Sequence, residues 1–260
     1  MGSHPKASED PDVSYSRLRM MAWASLMGMP PLIVLVTSLT DPAGAFQPQP
    51  SLSDYYYALP DGGVSRSLFV GFLVVLGSIL LAYKGFDGRD DLFHNFGGFF
   101  AFGVAFVPMV CDVRVHPYCV PGIFPNLRVH LACALLLFVC AVLVVCYGGG
   151  PELKKALTPV TYHKDLLLRL QCIKRLSLGL MAIGGILAPV VHLLFPRVFS
   201  FAILVAEYTG FFGFGLYWLR LSRLIEGANC AIDAKNNLMS KSPELMQSMA
   251  NVDSLKQRIP

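Results

Sequence analysis

The chain has 260 residues, 54% of them hydrophobic and only 15% charged, with a net charge of +4 and a mean hydropathy of +0.54. Soluble domains carry about 25% charged residues, so this composition excludes a soluble globular domain, a disordered chain and a small disulfide-stapled secreted module. The positive charge follows membrane topology and is not gathered into a nucleic-acid footprint, and the 23 Gly and 18 Phe suit closely packed membrane helices.

A helix needs about 20 apolar residues to cross a hydrocarbon core of about 30 Å. Six stretches meet that length: 20–40, 67–84, 92–111, 127–147, 176–195 and 198–219. Backbone amides in lipid must be satisfied within the segment, so each is expected to be helical. The resulting fold class is all-α, a polytopic six-transmembrane-helix bundle. Its segments are an N-terminal stretch (1–19), a membrane domain (20–225) and a tail (226–260). Only Arg66, Arg114, Arg128 and Arg197 fall on one side of this threading, while the other Lys and Arg residues share the opposite side. The positive-inside rule then makes the N- and C-termini cytoplasmic.

Within the first span, Pro30-Pro31 removes two amide donors and is expected to bend or break the helix. The outer loop that follows carries Ser53, Asp54 and the run Tyr55-Tyr56-Tyr57. Tyrosines before a span commonly lie at the headgroup level. The alternative is a loop folded back over an outward-facing cavity. Entering the third span, Asp91 is expected to cap the helix, beside Asn95. Gly97, Ala101 and Ala105 on the third span, and Ala202, Ala206 and Gly210 on the sixth, form small-residue ridges for close helix contact.

In the second outer loop, Cys111 and Cys119 are positioned for a disulfide, which an oxidising compartment permits. Asp112, His116, His130 and His192 lie near one membrane level. Zinc suits such ligands, but their spacing is not compact, and the sequence calls for no cofactor. The basic, leucine-rich stretch from Asp165 reads either as a surface helix drawn to anionic lipid or as an extension of the fifth span.

Glu207 is the principal polar residue inside a span. A charge in the bilayer costs at least a few kcal/mol and should face the protein interior. Its readings are a proton carrier, a metal ligand, an acid/base group, or a structural carboxyl between helices. With His130 it forms the candidate catalytic pair.

Ser51-Leu-Ser-Asp-Tyr-Tyr-Tyr, Arg66-x-x-Phe-Val-Gly, Leu-Ala-Tyr83-Lys84-Gly85 and Asp91…Asn95…Gly98…Pro108 together resemble a group of uncharacterised bacterial six-helix membrane proteins. Val129-His130 and Glu207…Phe214-Gly215…Trp218 continue the pattern. More distantly, the six-span layout, the serine-rich outer loop and Glu207-Tyr208 look like the family of GPI-anchor lipid-remodelling proteins and damage-regulated autophagy modulators. The resemblance implies a membrane protein that handles or senses lipid, and it marks Ser53, Tyr56, Arg66, Asp91, Asn95, His130 and Glu207. Asp54, Tyr57 and His192 complete the candidate binding set. The Cys111/Cys119 pair and the extended tail depart from the pattern. Membrane lipids are the expected partners, and the tail offers a surface for a cytoplasmic one. Three functions stand open: lipid handling, with or without catalysis; proton-coupled transport through Glu207; and scaffolding.

Overall fold

The computed structural model describes residues 11–41, 49–60, 63–85, 87–109, 126–148, 163–195 and 201–241, the side chains of a few helical positions excepted. All regular structure among them is helical. In chain order it comprises α1 (Pro11–Thr40), a 3-10 turn (Ser53–Tyr57), α2 (Gly63–Ala82), α3 (Gly88–Phe106) and α4 (Leu127–Tyr147). Then come α5 (His163–Ala182), a π-helical turn (Ile183–Leu187), α6 (Ala188–Leu194) and α7 (Ala202–Lys241). Cys111, Cys119, Asp112 and His116 lie outside the described residues.

Five stretches are long and apolar enough to cross a membrane: Tyr15–Thr40, Gly63–Ala82, Leu127–Tyr147, Asp165–Val191 and Ala202–Gly227. The chain therefore reads as a multi-pass integral membrane protein. α3 falls short by composition, because Arg89, Asp90, Asp91, His94 and Asn95 occupy its first turns. Its outward face nonetheless presents Leu92, Phe96, Phe99 and Phe106.

α3 packs on α2 and α4, α7 packs on α1 and α5, and α1 bridges to α2. Leu26, Phe69, Leu73, Leu76, Tyr217 and Trp218 form the centre of the core. Large apolar residues such as Leu39, Leu135, Ile186 and Leu193 point outward, an exterior suited to lipid and far larger than scattered surface leucines.

Small residues set the closest approach. A Cβ on Gly98 would lie 2.7 Å from the Gly77 carbonyl oxygen, and one on Gly77 would lie 3.0 Å from that of Gly98. α2 and α3 thus meet backbone to backbone. α1 runs through Pro30 and Pro31 as one helix, so the prolines do not break it. The irregular helix is elsewhere. Pro189 has no amide to offer the Gly185 carbonyl, and the π-helical turn lies just before it, as wide turns do where the i→i−4 ladder is interrupted.

Two other expectations change. Asp87, not Asp91, caps α3: its Oδ1 accepts from the amides of Arg89 (2.9 Å) and Asp90 (2.8 Å). Asp91 instead closes the α2–α3 turn, accepting from the Gly85 amide at 3.3 Å and from Asn95 Nδ2 at 3.3 Å. The basic stretch from Asp165 is no separate surface helix; it forms the first turns of α5, packed along α7.

Candidate functional site

The 3-10 turn Ser53–Tyr57 is folded into the end of the bundle where α1 finishes and α2, α4 and α7 begin. Its rings are not displayed at the surface: Tyr55 and Tyr57 are each only 1% exposed. Tyr57 Oη donates to the Met109 carbonyl at 2.8 Å, and Tyr55 Oη accepts from the Gln49 amide at 3.3 Å. Burial pushes both phenols above the ordinary value of 10.0. Arg66 braces the turn from α2, with its guanidinium 4.6 Å from the Tyr56 ring centre and its Nε 3.5 Å from the Tyr56 carbonyl. Asp54 Oδ2 accepts from Ser51 Oγ at 2.8 Å, and the Asp54 amide donates back to that oxygen at 3.2 Å. The loop after α1 therefore takes the folded-back arrangement, with Tyr55 and Tyr57 in the core.

This turn delivers Ser53 to His130 of α4. His130 is buried, and its two ring nitrogens have different partners. Nδ1 lies 2.7 Å from the Val107 carbonyl, and Nε2 lies 3.0 Å from Ser53 Oγ. A carbonyl only accepts, so Nδ1 must carry the hydrogen. In the neutral imidazole Nε2 is then the acceptor for the serine hydroxyl. The arrangement is a hydroxyl, an imidazole and a group orienting that imidazole, the geometry a serine–histidine pair requires, with a main-chain carbonyl in the orienting position.

Glu207 arrives at the same turn from α7. The leucine amide just before Ser53 donates to Glu207 Oε2 at 2.6 Å, and the Leu204 amide donates to the Pro50 carbonyl at 2.9 Å. α7 begins at Ala202, so Glu207 lies in its second turn, nearer the helix end than a span beginning at Val198 implies. Ser53, Asp54, Tyr56, Tyr57, Arg66, His130 and Glu207 are thus brought together. Asp91 and Asn95 are at the opposite end of the bundle, and His192 lies in α6 with its side chain outside the described residues. No three His, Cys, Asp or Glu side chains converge as metal ligands among the described residues.

A narrow cavity of about 130 Å³ begins at Leu52, Ser53 and Glu207 and extends down the bundle. On α2 it is lined by Phe69, Leu73, Leu76 and Leu80, which spread over about 16 Å of helix axis. Leu137, Phe138, Phe211 and Phe214 close its sides, and His94 lies at its far end. Apolar cavities near this volume stay dry and accept apolar guests.

The far end is a second polar cluster that sequence reasoning resolved poorly. His94 Nδ1 lies 2.8 Å from the Asp90 carbonyl and 3.4 Å from Asp90 Oδ1. The His94 ring is 4.8 Å from Tyr83 and 5.6 Å from Trp218, centre to centre. Arg19, just before the first apolar run at 20–40, is 6% exposed. Its position at the very edge of the apolar run was the available signal. The Val107 carbonyl that orients His130 left no sequence signal at all.

No protein-family profile matches the chain, and neither the curated proteins nor the solved structures contain a significant match to it.

Proposed function

We propose that this protein is a lipid-handling membrane enzyme that cleaves or transfers an acyl group, with Ser53 as nucleophile and His130 as general base. The observation that carries the reading is the Ser53–His130 contact at the mouth of the apolar slot, with Nε2 as the acceptor. An acyl chain is the guest whose shape suits a slot that is long, thin and apolar. Its ester carbonyl would then lie beside Ser53.

In the proposed reaction Ser53 Oγ attacks the ester carbonyl while its proton passes to His130 Nε2. Collapse of the tetrahedral adduct expels the lipid alkoxide, which takes that proton and leaves as the alcohol. The acyl-serine is then opened by water or by the hydroxyl of a second lipid, with His130 again as base. Glu207 acts through position: by accepting the Leu52 amide it fixes the backbone next to the nucleophile.

The same reading takes the chain as six-pass, α3 included, with both termini cytoplasmic and Ser53 on the outer side. It accords with the distant likeness to lipid-remodelling proteins. Release of labelled fatty acid from phospholipid in detergent micelles tests it. Wild-type turnover and its loss in Ser53→Ala, with an unchanged melting profile, support the reading; equal turnover in both proteins removes it.

A proton-transfer role is the second reading. Titratable groups at both ends of one cavity, Glu207 and His94, favour it, whereas the apolar lining between them opposes it. Flux in liposomes that vanishes in Glu207→Gln would select this reading.

A further inference from the structure

At the end of the bundle opposite Ser53, three elements enclose a groove of about 240 Å³. α1 contributes Tyr15, Ser16 and Arg19. The α2–α3 turn contributes Tyr83, Lys84 and Gly85, and α7 contributes Ile225, Glu226 and Asn229. This groove is separate from the acyl slot and shares no lining residue with it.

Its charge arrangement is specific. Arg19 is nine-tenths buried, and its Nε is a buried donor with no hydrogen-bond partner. A buried guanidinium donor left unmatched is costly, and an anion supplies the missing acceptor. Lys84 adds a second cation at the exposed rim. Across the groove, the Glu226 carboxylate takes the Ser16 hydroxyl from α1 and the Ser222 hydroxyl (3.2 Å) from its own helix. Those bonds fix a negative charge beside the two positive ones. Tyr15 and Tyr83 meet edge to face at 5.9 Å and wall the groove on one side. Asp90, the nearby acid of α3, is turned to His94 on the far side of Tyr83.

The geometry points to a binding site for a phosphate ester bearing an amine, with the phosphate on Arg19 and Lys84 and the ammonium on Glu226. Arginine and lysine are the phosphate-binding side chains, and a neighbouring carboxylate favours a zwitterion over a plain anion. The groove opens at the end of the apolar surface, where a membrane phospholipid places such a headgroup. A free phosphoamine carries the same chemistry.

The test is native mass spectrometry of the full-length protein in detergent. The probes are dioleoylphosphatidylethanolamine, dioleoylphosphatidylglycerol, dioleoylglycerol and soluble glycerophosphoethanolamine. The phosphatidylethanolamine adduct should exceed the dioleoylglycerol adduct about tenfold. Lys84→Gln should weaken both phospholipids roughly threefold, the order expected for a partly exposed charge pair. Glu226→Gln should weaken phosphatidylethanolamine alone and so erase its preference over phosphatidylglycerol. Both side chains are exposed, so these variants remain informative where Arg19→Gln fails to fold. Competition by glycerophosphoethanolamine at equal concentration supports the site with a soluble ligand as its source; absence of competition supports it with a membrane lipid. Equal adducts for dioleoylglycerol and phosphatidylethanolamine, or unchanged lipid ratios in both variants, overturn the proposal.

Discussion

His130 Nε2 lies 3.0 Å from Ser53 Oγ, although the two residues are 77 positions apart in the chain. One stands on a membrane helix and the other on a short 3-10 turn. The contact exists because the Val107 carbonyl turns the imidazole while the Glu207 carboxyl group holds the turn.

On the proposed acyl-transfer reading, replacing Ser53 by Ala removes the nucleophile and one hydroxyl. Acyl release should fall to background, with the melting temperature changed by no more than a lost hydrogen bond, about 1 kcal/mol, allows. His130→Gln should lower turnover by roughly 10²–10⁴, the usual contribution of a general base. Wild-type activity should fail on the acid side, since an imidazolium has no lone pair for the serine proton. Single-turnover rates against pH in wild type and Ser53→Ala check these points.

Glu207→Gln preserves an acceptor for the Leu52 amide, whereas Glu207→Leu does not. The Gln variant should keep near wild-type stability and acyl release within about tenfold of wild type. The Leu variant should lose about 1–3 kcal/mol, the cost of leaving a buried amide unmatched. Chemical denaturation and turnover, measured side by side, distinguish a positioning carboxyl from a proton carrier.

Tyr55 and Tyr57 link the 3-10 turn to alkaline stability. Burial raises both phenols above 10.0 in the folded protein, so the folded state holds its phenolic protons longer than the unfolded chain. Their contribution is therefore complete below pH 10 and is lost as pH rises through the folded values. Ultraviolet titration should place Tyr55 and Tyr57 among the late-ionising tyrosines. Tyr57→Phe should remove one of them and cost about 1 kcal/mol through the lost bond to Met109.

Gly98→Leu forces a side chain into the Gly77 backbone. α2 and α3 must separate, and overpacking of this kind costs about 1–3 kcal/mol. Its melting temperature should fall well below that of Gly71→Leu, a position where an added Cβ meets nothing within 4 Å.

Much of the helical framework was legible because hydrocarbon imposes a length and an apolar composition that sequence displays directly. α4 matches its expected bounds of Leu127–Tyr147. Helix ends that continue beyond the apolar run, as at His163 and Lys241, leave no such signal. Choosing Asp87 over Asp91 as the cap required knowing where the α2–α3 turn closes on Gly85. His130 and Glu207 stood out as polar residues in apolar stretches, and the loop serines stood out by composition. Their meeting did not, because it depends on a long-range fold and on the Val107 main-chain carbonyl, which every residue type possesses.

The most direct measurement of the Ser53–His130 pairing is intact-mass and peptide mapping after treatment with a lipid-tailed fluorophosphonate. Such a reagent captures a serine only where a neighbouring base activates it. One adduct on Ser53, absent from His130→Gln and suppressed by competing phospholipid, is the result expected. An unlabelled Ser53, or labelling that persists in His130→Gln, would contradict the account.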